Sequence, residues 1–267
     1  MPEDSAPLSV APSIHEPGNR KSPLPEWYPA WARELAELYF SGTTCLFVLY
    51  GNIHDLIRSP SLDGEKYSNL SEFLATQVFG SWDAVLLHDL AHGLRPLAGS
   101  DRQRLQAMVH TLGARIGDPS AWPRDADAIL ALLDRLVERT LIEEDDSRRL
   151  SMAVIFDSAQ YLVPLGDLTT LARGQSANLV RFLGWAQNPY IKRHNMAFCL
   201  VVDKLSEVNP RLLRSPHVAA IEVPLPDAGQ RRHFCEQATK KEGSVRPEAL
   251  AASEVAELSN GLSLVNL

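Results

Sequence analysis

Residues 196–214 read Met-Ala-Phe-Cys-Leu-Val-Val-Asp-Lys-Leu-Ser-Glu-Val-Asn-Pro-Arg-Leu-Leu-Arg, an unbroken apolar run, Met196 to Val202, that closes on the carboxylate of Asp203. A short apolar run bounded by polar residues is the pattern of a strand buried on both faces, as in a parallel sheet. Outward from it the pattern repeats. Thr43 to Tyr50 closes on Gly51, Ala84 to Leu87 on His88-Asp89, Leu150 to Phe156 on Asp157, and Val218 to Val223 forms a short fifth run. Helical segments alternate with these strands. Trp31, Leu35, Leu38 and Tyr39 fall at helical spacing, and a helix over about 68–79 is opened by Ser68 or Asn69 and ended by Gly80. Further helices are expected near 101–116, 124–140, 177–188, 228–240 and 247–259. The alternation predicts an α/β fold: a five-stranded parallel sheet between helices, with the strands ending at Asp157 and Asp203 adjacent.

Composition narrows the function classes. The 267 residues are 45% hydrophobic and 22% charged, which suits a globular chain with a sizeable core. A net charge of -7 argues against a protein whose main task is gripping a nucleic acid backbone. Three scattered cysteines, Cys45, Cys199 and Cys235, suit neither a disulfide framework nor a zinc site, and a reducing, cytoplasmic setting is the expectation. No apolar run approaches the ~20 residues a membrane helix needs. Residues 1–28 are expected to be a disordered tail, because seven of the 18 prolines lie in the first 29 residues and apolar residues there are scattered. Acidic Glu3 and Asp4 stand where a signal peptide carries basic charge.

In an open parallel sheet, chemistry gathers beyond the carboxyl ends of the strands. Two carboxylates at such ends, Asp157 and Asp203, are what a nucleotide and Mg²⁺ site places there, and are equally common in sheets that bind nothing. Periodicity alone leaves both readings open.

Four motifs carry a resemblance. Val202 to Arg214 resembles the AAA+ ATPase segment from the first sensor to the arginine finger, written T-N-R-P-D-x-L-D-P-A-L-L-R. Ile221-Glu222-Val223-Pro224-Leu225-Pro226-Asp227 with Arg231-Arg232 resembles the stretch that closes the large domain and opens the helical lid. Leu258 to Leu267 is similar to the lid motif L-T-x-G-F-S-G-A-D-L, with Gly261 in the glycine position, and Ala153 to Ser158 resembles a Walker B strand. The resemblance spans roughly residues 30–267. It implies an AAA+ α/β domain over 29–226 and the start of a small helical lid over 227–267, truncated inside its motif. At the family level it implies ATP and Mg²⁺, with Gly51, Asp157, Asp203 and Gly261 at nucleotide-site positions and Asp157 as the Mg²⁺ residue.

The departures are as informative. A P-loop needs Gly-x-x-x-x-Gly-Lys-Ser/Thr, whose backbone N–H groups cradle phosphate. After the first strand this chain has Gly51-Asn52-Ile53-His54-Asp55-Leu56-Ile57-Arg58, in which only the first glycine survives and Asp55 repels phosphate. Gly64-Glu65-Lys66 lacks both the hydroxyl and the preceding glycine. Ser158 stands where the family carries its general base, Gln160 is out of step as a water-orienting residue, and Asp203 replaces the sensor Asn. The chain itself is therefore not expected to hydrolyse ATP or to hold nucleotide tightly.

Arg214 falls at the finger position that reaches a neighbouring subunit's site, with surface capping of its own short helix as the plain alternative. His217 occupies the second finger position. The expected role is a catalytically degenerate AAA+ module, the first domain of a tandem FtsH-like ATPase, acting in the assembly or regulation of a ring that remodels a protein client. A clamp-loader delta-like scaffold and a non-hydrolysing nucleotide sensor are the alternatives. Outside these motifs, His88 and His92 flanking Asp89 are expected to be hydrogen-bonded loop histidines rather than metal ligands, and His54-Asp55 part of a loop packing over the sheet edge. Trp27, Tyr28 and Trp31 are expected to anchor the first helix.

Overall fold

A computed structural model describes residues 24–61, 64–167, 169–242 and 252–267, so the expected tail over 1–28 lies outside it up to residue 23, while its last residues depart from the expectation: Leu24 and Trp27 pack against the core and Tyr28 is buried in it. The strands are β1 (Leu46–Gly51), β2 (Ile57–Ser61), β3 (Gly64–Ser68), β4 (Ala84–Asp89), β5 (Gly93–Pro96), β6 (Met152–Phe156), β7 (Met196–Val201) and β8 (Val218–Val223). The main helices are α1 (Ala30–Phe40), α2 (Leu70–Phe73, running on as a π turn over Leu74–Val78), α3 (Arg102–Ile116), α4 (Ala126–Leu141) and α5 (Arg173–Gln187). They are followed by α6 (Pro189–Arg193), α7 (Pro210–Leu213), α8 (Ala228–Glu242) and α9 (Ala252–Leu258).

The central sheet has the order β5-β4-β6-β7-β1-β8. Its five parallel strands are those expected, and β6 and β7 pair in register from Met152 with Met196 to Phe156 with Leu200. The sheet is nevertheless six-stranded. After Asp89 the chain turns at Gly93 and returns as β5, antiparallel to β4. The segment Gly93–Pro96 is four residues long and includes a charged Arg95 and a terminal proline, so it carries no strand pattern of its own; pairing with β4 makes it a strand. A second unanticipated element is the β2–β3 hairpin, inserted between β1 and α2.

Every residue of β6 and β7 is buried, which requires cover on both faces. One aromatic cluster joins the start of the described chain to α2: the rings of Tyr28 and Trp31 lie 6.1 and 5.5 Å from Phe73, as the anchoring role requires. Another, Phe156, Phe182, Trp185 and Phe198, seals α5 to the sheet, with Trp185 stacked on Phe198 at 4.5 Å. Ser151, polar within an apolar run, has a specific job. Its N–H and hydroxyl both donate to Asp83 Oδ2 at 2.9 and 2.6 Å, pinning the amino ends of β4 and β6 together. Side-chain oxygens cap the helices: Asn69 for α2, Asp101 for α3, Asp125 for α4 and Asn209 for α7. Helix α5 begins at Arg173, before the expected residue 177. The first part of the helix expected from 247 lies outside the described residues. No helix among the described residues is long and apolar enough to cross a membrane.

His88 departs from its expected role. It belongs to β4 rather than a loop, is fully buried, and neither ring nitrogen has a hydrogen-bond partner. His92 does bond its neighbour, with Nδ1 2.9 Å from Asp89 Oδ1. Burial pushes the His88 imidazole below its ordinary value, the charge of Asp89 opposing this. The unfolded chain therefore takes up a proton through about pH 6.5 that the folded chain refuses. Stability from this site is complete above that pH and falls as the pH drops below it. A His88→Phe variant is expected to lose less unfolding free energy between pH 7 and pH 5 than the wild type, measured by urea titration at each pH.

Candidate functional site

The carboxyl ends of β1, β4, β6 and β7 converge on one edge of the sheet, and the loop leaving β1 governs it. Gly51 has φ +95°, and a Cβ there would lie 2.8 Å from the Val223 carbonyl oxygen, so only glycine makes this exit without strain. The Asn52 N–H then donates to the same oxygen at 2.8 Å, which folds the loop back over the sheet. Ile53 is buried, and the next two residues point their side chains at separate partners.

His54 reaches Asp203. Its Nε2 lies 2.8 Å from Asp203 Oδ1, while Gln160 Nε2 donates to Asp203 Oδ2 at 2.8 Å. Both carboxylate oxygens of Asp203 are therefore engaged by the chain's own side chains. Gln160 comes from a short 3₁₀ turn after β6, entered through Ser158 in the left-handed conformation, φ 55° and ψ 40°. Asp157, between β6 and Ser158, gives its N–H to the His88 carbonyl, and its carboxylate makes no side-chain bond among the described residues.

Asp55 is 4% exposed. It accepts from Asn52 Nδ2 at 2.7 Å, from the Leu56 N–H at 2.8 Å and from the Val265 N–H at 3.0 Å. The last bond reaches the far end of the chain, where Leu264–Asn266 forms a 3₁₀ turn. Gly261 lies just upstream at φ +84°, with open space around it, and takes no direct part in this contact.

The loop thus stands between two cavities. Ile53, His54 and Asp157 line one of about 630 Å³, together with Arg95 and Glu72. Asn52, Asp55 and Leu56 line the other, about 1100 Å³, with Trp27, Tyr28, Leu264 and residues of α8. At the rim of the sheet, burial alone would raise the Asp89 carboxyl. Hydrogen bonds from Arg95 and from the backbone and ring of His92 outweigh it and hold the group at about 2. No group of three or more His, Cys, Asp or Glu suited to a metal occurs among the described residues.

The second possible phosphate motif lies in the hairpin, and its lysine is tied to Glu72, which lines the smaller cavity. Gly64 opens β3 in the hairpin, Glu65 pairs with Arg58 at 2.5 Å and with His233, and Lys66 Nζ donates to Glu72 at 2.7 Å. The helix after the hairpin begins only at Leu70. Arg214 sits at the carboxyl end of α7, exposed, with no side-chain partner among the described residues. Buried Asn209 orients α7: its N–H donates to Val163 and its Nδ2 to Gly166 at 2.8 Å. His217 is tied elsewhere, its Nδ1 3.0 Å from Lys192 Nζ and its carbonyl accepting from Thr44.

The structure therefore brings Asp203, His54 and Gln160 together, leaves Asp157 beside them, and places Gly261 and Arg214 outside the cluster. Sequence reasoning weighs the pair His54-Asp55 and, separately, Gln160. The signal that unites them is strand order: β1, β6 and β7 are neighbours, so residues just past their ends must meet.

Known proteins resemble this chain in two respects. The family model described as AAA+ chaperone, N-terminal Rossmann-like domain matches residues 19–224. No curated protein matches the chain. Among solved structures, a chain of the E. coli MS115-1 HORMA:CdnC:Trip13 complex aligns with a TM-score of 0.48 at 12% identity, over 85% of this chain and 63% of that one. The present chain thus spans less than two thirds of that chain's length.

Replacing Gly51 tests the exit from β1. Gly51→Ala must clash with the Val223 carbonyl and hold a left-handed φ, and is expected to cost about 1–3 kcal/mol in chemical denaturation.

Proposed function

Because the chain belongs to the family of AAA+ chaperone N-terminal Rossmann-like domains, we propose that it is a catalytically degenerate AAA+ module. In this reading it serves the assembly or regulation of a protein-remodelling machine whose ATP is bound and hydrolysed by another, intact AAA+ domain, as in a tandem FtsH-like arrangement. Its place is in a ring, its work is on a protein client, and its setting is the cytoplasm. In this reading the large domain extends to about residue 226 and 227–267 belong to the helical lid.

One observation carries the reading: both oxygens of Asp203 are taken up by His54 and Gln160. An AAA+ enzyme needs a neutral donor here to meet the γ-phosphate. This chain offers a carboxylate hydrogen-bonded to its own loop, and the buried carboxylate of Asp55 lies in the same loop. Backbone N–H groups of a glycine-rich turn and a free lysine supply phosphate affinity; here the first turn of α2 reaches the smaller cavity without such a turn before it, and Lys66 is engaged by Glu72. Ser158 has no acidic proton acceptor to offer an attacking water. The residues present do not fit ATP and Mg²⁺, although Asp157 retains the form of a Mg²⁺ residue, and no catalytic step is assigned through them.

Arg214 is the residue with a role in trans. Residues 203–217 carry the chain from the carboxyl end of β7 to the amino end of β8, away from Asp157. An exposed guanidinium on that path is available to a neighbour's phosphates, where it stabilises charge developing in the transition state.

Two measurements test this. Isothermal titration of the purified chain with ATP and Mg²⁺ is expected to give no binding heat, and turnover to stay at background; turnover abolished by Asp157→Ala would sink the reading. In an assembled ring with an intact AAA+ neighbour, Arg214→Ala is expected to lower turnover by about a hundredfold or more while leaving nucleotide affinity within a few-fold. Unchanged turnover there would leave Arg214 a surface residue.

A further inference from the structure

Two independent contacts fasten the C-terminal helical segment to the sheet domain, and both come from the loop and hairpin between β1 and α2. The first is Asp55. A buried carboxylate must be met by donors or neutralised. Asp55 is met by the Asn52 side chain and by backbone N–H groups of Leu56 and Val265. Val265 lies in the first turn of the 3₁₀ helix Leu264–Asn266, where backbone N–H groups have no partner within the helix. A ring of N–H donors closing on oxygen is how loops of this kind hold phosphate. Here the oxygen belongs to the protein.

The second contact is the hairpin. Glu65 bridges Arg58 on β2 and His233 on α8, and the Tyr67 ring meets Phe234 edge-on at 4.9 Å and 84°. Burial alone would raise the Glu65 carboxyl, but its bonds to His233 and Arg58 hold it below its ordinary value. The segment so gripped is internally braced. Buried Arg231 on α8 donates to the carbonyls of Ala256 on α9 and of Pro226, at 3.1 and 2.6 Å. Asp55 and Glu65 therefore hold one packed body at two points, across the cavity of about 1100 Å³ that separates it from the sheet.

We propose that the Asp55 carboxylate is a built-in anion which, with the β2–β3 hairpin, holds the C-terminal helical segment on the sheet domain in the absence of any bound phosphate. The inference rests on the reading that this chain takes no nucleoside triphosphate.

Hydrogen exchange of the full chain, read by mass spectrometry, tests it. In Asp55→Ala the amides of 228–238 and 264–266 are expected to exchange about tenfold faster or more, while β6 and β7 keep wild-type protection. Acetate added at ~0.2 M is expected to restore part of the protection, because it refills the space with the lost charge. The double variant Glu65→Gln, Tyr67→Leu, which leaves Asp55 in place, is expected to speed exchange in α8 alone; it also serves if Asp55→Ala does not fold. Unchanged exchange in the C-terminal segment, acceleration spread evenly through the sheet, or acceleration that acetate does not relieve would overturn the proposal. ATP with Mg²⁺ added to the wild type provides the separate arm. Protection gained at 52–56 on adding it means that the degenerate-site reading is wrong, whatever Asp55→Ala has done.

Discussion

The chain leaves β1 at Gly51 with no room for a side chain against the Val223 carbonyl, and the conformation adopted there sets the path of the backbone as far as α2. Because β1 lies between β7 and β8 in the sheet, its carboxyl end is hemmed in on both sides. The bond from the Asn52 N–H to Val223 turns the chain back over the strand ends instead of letting it continue outward into a helix. His54 then falls on Asp203, Asp55 falls under the C-terminal turn, and the hairpin must form before α2 can begin at Leu70. A helix starting directly after the strand would have aimed its N-terminal amides at the edge of the sheet. The hairpin occupies that stretch of chain instead.

The parallel sheet was legible because burial on both faces writes a continuous apolar run, and β1, β4, β6 and β7 each carry one, while β8 at the edge is only half buried and shows a weaker pattern with Glu222 in it. Of their order, only the adjacency of β6 and β7 was expected. What stayed hidden has a physical cause in each case. β5 and the hairpin owe their form to pairing rather than to an apolar face, and Glu65, Lys66 and Arg95 in them are charged. His88 looked like a loop residue because a histidine at a strand end usually meets water; here β5 and Phe156 close over it. The candidate site was half legible. Asp157 and Asp203 could be placed at strand ends, but the engagement of Asp203 by His54 and Gln160 depends on side chains far apart in sequence. Gly51 could be singled out by type, yet its reason, the distance to Val223, is visible only in the fold.

Carboxylates at this edge and on the hairpin are paired with the chain's own side chains. Asp203 is shared between an imidazole and an amide, Asp89 between Arg95 and His92, Glu65 between Arg58 and His233. Asp89 and Glu65 are partly buried, and stripping such carboxylates of their partners is costly, whereas the exposed pair of His54 and Asp203 adds little stability. The Asp157 carboxylate, beside the smaller cavity, makes no such side-chain bond among the described residues.

The distribution of thiols has a practical consequence. Burial pushes Cys45 up to about 12 and raises Cys199 as well, and both lie at or in the central sheet. Cys235 is on α8 and only partly buried, its thiol raised more modestly by burial. Since the thiolate is the species that alkylates, a maleimide dye will mark the wild-type chain at Cys235 first. The helix fastened through Glu65 and Tyr67 thus carries a native attachment point for a fluorophore. Its motion can be followed by anisotropy or energy transfer without engineering a cysteine into, or out of, the protein.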